Sequence, residues 1–481
     1  MINTINLKNF KLHRNTTIDF GKINVFIGPN NSGKSSVIHA MQMLAKGFAY
    51  GLENLHKFLY ESSRYIDVKE FENIVSKGEH RLEIGIEGEV PLMNILSPSE
   101  IEIAEKFIAS ENVKVRSKFV MEKNRFINIK DCELELEMFG VEDKIIEEKG
   151  GNGAIETIIK TDGYDIKYSE HPNIGTKKKV LFKEGKRIRI WGKEGHSEQL
   201  PLADIIDKSD MGIIDKSDMG NLYLLKSLYV GKDNPIRPVL SNIIYESLNK
   251  LIDSFHFVYP IRGLETLTYK TIDKKTAEMN LNDLNLTSRA QSVANAFIYN
   301  RLLEDEIYEK MKKVIDVKFY AELGKTKDDV KLMSKEKNVP FLFEGLGAHQ
   351  MLFMLLPIFL PGQNNQNDTI CIEEPENHLH PKAQYELAKL FVDIANAQEK
   401  QIVITTHSEH IVFGLLNRVA KKELKNDELA IYYFENKSGK TEVKKLEINE
   451  FGQVKGGLPG FFEAEVEGLL EFLSEPEEED K

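Results

Sequence analysis

Apolar residues change their spacing along this chain, and each spacing predicts a different kind of element. Residues 4–10 and 17–27 have the pattern of strands, and the second run ends directly in a glycine-rich loop. Residues 37–44, which follow that loop, have the apolar spacing of a helix. Strand, loop and helix in this order are the context that a phosphate-binding loop requires.

Farther along, apolar and polar residues alternate. Apolar residues occupy every second position in two places: Leu82, Ile84 and Ile86, and then Leu134, Leu136 and Met138. A period of two indicates half-buried antiparallel strands. Turn residues at Asp162-Gly163 and Glu184-Gly185 predict hairpins. The region from about residue 80 to residue 195 is therefore predicted to be rich in β-strands.

The second half of the chain returns to helices and buried strands. Residues 240–318 contain few glycines and prolines and are predicted to be helical, with 301–307 as a short projecting arm. Residues 369–372 and 401–405 are continuous apolar runs typical of buried parallel strands. Between them lies a predicted helix with Pro381 in its first turn. A hairpin is predicted over 430–448.

Two short segments stand apart from these patterns. Residues 205–212 and 213–220 repeat the same letters, IIDKSDMG, which is too short for a structural repeat and indicates a tolerated insertion. The acidic run at 474–480 is predicted to be a disordered tail.

The composition narrows the class of protein. Hydrophobic residues make up 41% and charged residues 29%, as in soluble globular proteins. The net charge of -12 means that any contact with nucleic acid needs a local basic patch. Cys132 and Cys371 lie far apart, which fits a reducing cytoplasm. No apolar run approaches the ~20 residues that span a bilayer, so we expect a cytoplasmic protein without a membrane segment.

The glycine-rich loop carries the strongest chemical signal. Its sequence, GPNNSGKSS, supplies backbone N–H groups for phosphate oxygens, and Lys34 supplies a charge for the β and γ phosphates. The Ser35 hydroxyl is a predicted ligand of Mg²⁺. We therefore expect ATP and Mg²⁺ as cofactors. The residues predicted to bind the nucleotide here are Gly28, Pro29, Asn30, Asn31, Ser32, Gly33, Lys34, Ser35 and Ser36.

Carboxylates at the end of the next buried strand suit catalysis. Glu373 is predicted to hold Mg²⁺ through water, and Glu374 to orient or deprotonate the attacking water. His407 ends the following strand, where it can reach the γ-phosphate or that water. Taken singly, each of these residues could equally be structural, but their order and spacing favour the catalytic role.

A second glycine-rich segment, residues 344–350, precedes the carboxylates. Gly345, Gly347 and Gln350 are predicted to bind nucleotide, with the backbone amides and the helix start capping the γ-phosphate of an opposite subunit. The alternative is a plain glycine helix start. The segment keeps the leucine and glutamine of the signature usually written LSGGQ and loses its serine.

These segments together resemble a known class. Residues 6–36, EEPENHLHP at 373–381 and TTHSEH at 405–410 resemble RecF-like, SMC-like and OLD-like ABC-type ATPases. Residues 258–263 are similar to an arginine-bearing segment of such proteins. Residues 451–462 resemble a C-terminal element with no assigned role. The resemblance implies an ATPase that sandwiches ATP in a homodimer or higher even oligomer.

The resemblance also implies a fold and two candidate functions. We expect an α/β fold, with an ABC-type P-loop ATPase head formed by both chain ends and with a β-rich lobe and a helical insertion between. The expected regions are 1–90 and 336–450 for the two halves of the head, 91–240 for the lobe, 241–335 for the insertion, and 451–481 for the C-terminal element and tail.

The first candidate function is control of a separate effector, a nuclease or toxin, in anti-phage defence of the PARIS or Septu type. The residues after His407 do not comfortably hold the OLD Toprim nuclease domain of about 100 residues. The alternative is a RecF-like repair or chromosome-maintenance ATPase that clamps DNA. Because Glu373 replaces the commoner aspartate and the D-loop aspartate is also replaced, we expect slow hydrolysis.

One basic run bears on nucleic-acid binding. The basic residues surround Trp191 and are Lys177, Lys178, Lys179, Lys183, Lys186, Arg187, Arg189 and Lys193. Basic residues with an aromatic side chain can follow a nucleic-acid backbone. In an acidic protein the favoured interpretation is a solvated hairpin face, and nucleic-acid binding stays an open alternative.

Overall fold

The structure is a computed structural model of the 481-residue chain. It describes residues 1–49, 71–105, 108, 110–122, 128–137, 145–149, 155–161, 164–170, 180–183, 187–193, 229–230, 236–260, 262–280, 286–324, 328–359 and 368–458. The duplication at 205–220 and the acidic run at 474–480 lie outside the described residues. The chain divides into a first unit, Met1–Asp19 with His39–Phe255, and a second unit, Phe20–Ile38 with His256–Lys481.

The regular elements of the described residues are named here in chain order. The strands are β1 (Ile2–Phe10), β2 (His13–Asp19), β3 (Ile23–Ile27), β4 (Arg81–Pro91), β5 (Asn112–Glu122), β6 (Asn128–Glu137), β7 (Ile145–Lys149), β8 (Ile155–Thr161), β9 (Tyr164–Glu170), β10 (Val180–Lys183), β11 (Arg187–Lys193), β12 (Tyr229–Val230), β13 (Phe255–Val258), β14 (Tyr269–Lys270), β15 (Phe319–Leu323), β16 (Asp329–Ser334), β17 (Val339–Pro340), β18 (Thr369–Glu373), β19 (Gln401–Thr405), β20 (Leu429–Lys437) and β21 (Lys440–Lys445). The α-helices are α1 (Lys34–Ala49), α2 (Pro98–Ala104), α3 (Ile236–Asp253), α4 (Lys274–Asn280), α5 (Leu286–Tyr299), α6 (Leu302–Met311), α7 (Leu346–Phe359), α8 (Pro381–Ala397) and α9 (Glu409–Ala420).

The first unit is built on antiparallel sheets. Its larger sheet has the strand order β10-β11-β6-β5-β4-β1-β2, and a smaller one has the order β12-β9-β8-β7. Side chains of β4 alternate between buried and half-buried, and Leu82, Ile84 and Ile86 are buried as the alternation predicts. The predicted β-rich region is therefore confirmed, and its two predicted hairpins are the pairs β8–β9 and β10–β11.

The second unit is built on a sheet that joins distant parts of the chain. Its order is β13-β18-β19-β3-β20-β21, with β3 parallel to both β19 and β20. Strands β3, β18 and β19 are buried at every position, as expected where helices cover both faces of a parallel sheet. The α/β prediction, with both chain ends contributing to one sheet, is confirmed.

Three local predictions also agree with the structure. Helix α1 directly follows the glycine-rich loop, and α8 begins at Pro381. The hairpin predicted over 430–448 is the pair β20–β21. Among the described residues, no helix is long and apolar enough to cross a membrane.

Three other predictions were wrong. The single strand predicted over 17–27 is two strands, because the Asn24 side chain accepts from the N–H of Gly21 at 2.7 Å and donates to its carbonyl at 2.9 Å, which closes a turn. The helical region over 240–318 includes the strands β13 and β14. Its predicted projecting arm is α6, which instead packs on the core of the second unit. The buried side chains of that packing are Leu303, Ile307 and Met311.

Candidate functional site

The glycine-rich loop follows β3 and has a backbone conformation that requires glycine at two positions. Gly28 has a φ of 136°, and a Cβ added there would lie 2.1 Å from the carbonyl oxygen of Phe434. Gly33 has a φ of 101°, which side chains other than hydrogen rarely permit. The first glycine is therefore needed for both space and conformation, and the second for conformation.

Lys34 lies at the first position of α1 and is only 6% exposed. Its Nζ donates to the carbonyl oxygens of Gly28 and Pro29, at 2.8 Å each. Burial lowers the pKa of Lys34 to about 8, although the carboxylates of Glu374 and Glu376 act in the opposite direction. An anion placed beside this ammonium would relieve the cost of burying its charge.

The loop has further features that fit a polyphosphate. The buried Ser32 hydroxyl has no hydrogen-bond partner among the described residues. The N-terminus of α1 contributes the positive end of the helix dipole. Ser35 and Ser36 follow in its first turn and are half-buried, while Pro29, Asn30 and Asn31 are exposed. The residues present therefore fit the phosphates of a nucleotide.

Glu373 ends β18 near this loop in the sheet. Glu373 pairs with Thr405 of β19, and Thr405 pairs with Phe26 of β3. Within the described residues no group of three or more histidine, cysteine or acidic side chains could hold a metal. Mg²⁺ commonly uses one or two carboxylates together with substrate phosphates. Glu373 and the Ser35 hydroxyl fit a Mg²⁺ site of this kind, in which the nucleotide phosphates supply further ligands.

Glu374 adopts a left-handed backbone conformation, with a φ of 46°. Its side-chain Oε2 accepts a hydrogen bond from Asn377 at 2.9 Å, and its N–H donates to the carbonyl of Thr405. Arg262 Nη2 donates to the carbonyl oxygens of Glu373 and Glu374, at 2.5 and 2.9 Å. The segment that carries both predicted carboxylates is thus fixed through its backbone.

Arg262 was not among the residues assigned to the site from sequence. It is buried, and burial lowers its pKa to about 10, while the charges of Glu376, Glu373 and Glu374 favour the protonated form. The signal that could have found it is the arginine-bearing segment at 258–263, which the resemblance singled out without a role. Arg262 is therefore a second cation, besides Lys34, that interacts electrostatically with these carboxylates.

Glu376 joins the end of β18 to the end of β19. Its Oε1 accepts from the backbone N–H of His407 at 2.7 Å, and burial raises its pKa. The His407 side chain is exposed, and its pKa is lowered by partial loss of solvent and by the charge of Lys34, against the effect of Glu374. Lys34, Glu374, Glu376 and His407 are therefore within electrostatic reach of one another.

A polar link that sequence reasoning missed supports this arrangement. Ser408 Oγ donates to Gln384 Oε1 at 2.6 Å, and Gln384 Nε2 donates to the Leu379 carbonyl at 2.8 Å. The same hydroxyl caps α9 by accepting from the N–H of Ile411. This link ties the turn after Glu374 to the turn that carries His407.

The second glycine-rich segment opens α7, as predicted. Gly345 is exposed and has open space where a Cβ would lie, whereas a Cβ on Gly347 would lie 2.9 Å from the carbonyl oxygen of His378. Gln350 is only 2% exposed, so its side chain lies in the interior of the second unit. Phe343 and Leu346, 67% and 51% exposed, flank Gly345. The accessible part of this segment is therefore its first turn.

A buried strand, phosphate loop and helix, in one sheet with a second buried strand that ends in Glu373, define a P-loop nucleotide-binding protein. The chain belongs to the AAA ATPase domain family, which matches residues 1–412. Residues 424–471 match a second family, described as a protein of unknown function (DUF3696).

Individual known proteins are similar over different extents. An ATP/GTP phosphatase of Helicobacter pylori is 32% identical over 119 residues, which are 24% of this chain and 30% of that protein. The match thus spans less than a third of that relative. A solved structure of the SmcHead bound to the C-winged helix domain of ScpA aligns with a TM-score of 0.42 and 10% identity, over 93% of this chain and 98% of that one. The SMC head domain from Thermotoga maritima aligns with a TM-score of 0.35 and 10% identity, over 93% of this chain and 99% of that one.

Proposed function

We propose that this chain binds ATP together with Mg²⁺ and hydrolyses it. The observation that carries the proposal is the position of Lys34. Its Nζ donates to two loop carbonyls, and it interacts electrostatically with the carboxylates of Glu374 and Glu376. A buried lysine at the start of a helix, facing acidic groups, is arranged to exchange loop carbonyls for phosphate oxygens.

Each residue of the site then has a chemical task. Lys34 moves from the loop carbonyls to the β and γ phosphates and stabilises their charge. Glu374 orients the attacking water and accepts its proton, and His407 donates a hydrogen bond toward the γ-phosphate. Arg262 holds the backbone that aims Glu374. Ser35 directly, and Glu373 through water, would hold Mg²⁺, which would neutralise charge on the phosphates.

The finer part of the proposal concerns assembly. Gly345 and its neighbours present an exposed, sterically open helix start, which is suited to cap the γ-phosphate of a second copy across an ATP-bound dimer. We further propose that this association controls a separate effector, a nuclease or toxin, in anti-phage defence. Its support is the sequence resemblance of the segments at 373–381 and 405–410.

A second candidate function is direct clamping of DNA, as in RecF-like ATPases. The observation that favours it is the antiparallel pairing of β10 with β11, since these strands carry part of the basic run. The net charge of -12 opposes it. Binding to duplex DNA that weakens steeply with added salt would support this second function over the first.

The test of the proposed function is nucleotide binding and phosphate release by the purified chain and by Lys34→Ala. We expect the substitution to weaken binding of a non-hydrolysable ATP analogue by roughly 100-fold or more, because hydrogen bonds to a charged group are lost. Lys389→Ala removes an exposed lysine of α8 in the same unit and is the matched control. Equal affinity in Lys34→Ala and Lys389→Ala would refute the assignment.

A further inference from the structure

The C-terminal segment that matches a family of unknown function includes the hairpin β20–β21. Strand β20 runs parallel to β3, with Leu429 opposite Ile23 and Tyr433 opposite Ile27. Because the phosphate loop starts directly after Ile27, the outer half of the hairpin continues alongside that loop. The hairpin is thus placed to contact the loop through its side chains.

Two such contacts exist, and they reach consecutive loop carbonyls. Asn436 Nδ2 donates to the carbonyl oxygen of Asn31 at 3.1 Å. Thr441 Oγ1, which is buried, donates to the carbonyl oxygen of Ser32 at 2.8 Å. Asn436 and Thr441 are directly opposite each other in the hairpin register, so they lie on one face as a pair.

The hairpin itself holds the Asn436 side chain in place. The N–H of Gly439 donates to Asn436 Oδ1 at 2.9 Å. The amide therefore accepts from the hairpin turn with its oxygen and donates to the loop with its nitrogen. This double use fixes the orientation of the amide, since only one assignment of oxygen and nitrogen satisfies both bonds.

Because a peptide group is planar, the direction of a carbonyl also fixes the direction of the following N–H group. In a trans peptide the carbonyl oxygen and the following N–H point in opposite directions. Holding the carbonyls of Asn31 and Ser32 against the hairpin therefore turns the N–H groups of Ser32 and Gly33 away from the hairpin. Asn31 has a φ of 58°, and successive inward N–H groups around such a residue form an anion-binding nest.

We infer that this C-terminal segment is part of the nucleotide site, with Asn436 and Thr441 as positioning residues that keep the phosphate loop in its anion-binding conformation. The inference rests on the proposed nucleotide binding and assigns a role to a segment that the AAA ATPase match at residues 1–412 does not include. Removal of either side chain leaves the loop sequence intact and frees its peptide groups to rotate, which lowers the affinity for phosphates.

The experiment measures affinity for a non-hydrolysable ATP analogue in the full chain by calorimetry. We expect Thr441→Val and Asn436→Ala each to weaken binding about threefold to tenfold, the range for one lost hydrogen bond, and the double variant to weaken it further. Thr441→Ser keeps the hydroxyl and should bind as the unaltered chain does. Lys444→Ala, an exposed change on the same hairpin, is the second control.

Thermal unfolding of the nucleotide-free variants separates positioning from general stability. Positioning predicts weaker binding with little change in the unfolding midpoint, and restoration of binding in Thr441→Ser. Should Thr441→Val lower that midpoint strongly, Asn436→Ala decides, because the side chain of Asn436 is exposed. Normal affinity in a folded Asn436→Ala protein would overturn the inference. Failure of the unaltered chain to bind ATP would instead overturn the proposed function.

Discussion

Glu374 has a backbone conformation that is costly for a residue with a side chain. A left-handed φ at a residue other than glycine costs on the order of 1 kcal/mol and persists only where the surroundings enforce it. Here Arg262 accounts for the enforcement, since one of its nitrogens donates to the carbonyls on both sides of the strained residue. The buried Arg262 thus stabilises the backbone conformation that orients the Glu374 side chain. This indicates that the orientation of Glu374 is important for the proposed hydrolysis.

We predict that Glu374→Gln keeps ATP bound and slows hydrolysis by about 10²- to 10⁴-fold, the usual contribution of a general base. An amide cannot accept the proton of the attacking water, yet its oxygen can still accept the hydrogen bond from Asn377. Phosphate release and the amount of nucleotide retained on the protein are the two measurements.

Glu386→Gln, a half-buried change on α8, is the matched control and should leave turnover unchanged. Glu376 is the competing candidate, because burial raises its pKa and it contacts the backbone of His407. Unimpaired turnover in Glu374→Gln, together with loss in Glu376→Gln, would transfer the role of base to Glu376.

At the scale of elements, the local parts of the site could be predicted from sequence. The phosphate loop with α1, the strands β18 and β19 and the start of α8 each depend on residues close together in the chain, so apolar spacing and glycine positions suffice to find them. The paired β20–β21 hairpin was likewise predictable from alternation and a turn.

The remaining parts depend on contacts between residues far apart in sequence. Arg262 meets the carbonyl of Glu373 across 111 positions, and Thr441 meets the loop at Ser32 across 409. Apolar spacing marks neither Arg262 nor Thr441, and only the resemblance of residues 258–263 pointed to the segment that carries Arg262. The break between β2 and β3 was missed for another reason, since a turn closed by one asparagine side chain is invisible to apolar spacing.

The start of α7 allows a sharper test of the second glycine-rich segment. Gly347 is an unsuitable position, because even a Cβ there would crowd the His378 carbonyl within the same chain. Gly345 is exposed, and a Cβ added there meets nothing within 4 Å, so a side chain can start at this position without crowding its own chain. A defect in Gly345→Arg would therefore report on a molecule outside the chain.

We predict that Gly345→Arg binds ATP normally and loses both ATP-dependent association and most of its turnover, at least about tenfold. The bulky cation would occupy the place where the nucleotide of a second copy belongs. Light scattering with and without ATP measures association. Leu302→Arg adds the same charge at a residue that is 89% exposed in the same unit and serves as control. Normal assembly and turnover in Gly345→Arg would contradict the role across a dimer.

At the scale of the whole molecule, the nucleotide site requires distant stretches of one chain. Strand β3 lies between β19 and β20 in the central sheet of the second unit, so the phosphate loop is bordered on both sides by C-terminal strands. The carboxylates that we propose as catalytic come from the β18–β19 side, and the hairpin that contacts the loop comes from the other side. A protein truncated before β20 would therefore lose a sheet neighbour of the phosphate loop as well as its side-chain contacts.

The last prediction concerns two copies of the molecule. If the phosphate loop of one copy faces the Gly345 segment of the other, mixing Lys34→Ala with Gly345→Arg rebuilds one intact site per mixed dimer. Each variant alone should be inactive, whereas their equimolar mixture should regain measurable turnover, because each mixed dimer contains one intact site of two. Lys34→Ala mixed with Glu374→Gln is the control, because both substitutions lie in the same half of the site and no mixed dimer regains a complete site.

Phosphate release after co-refolding or co-expression is the measurement. Activity in the first mixture alone requires a site shared between copies, and inactivity in both mixtures, with mixed dimers shown to be present, would mean that each chain completes its own.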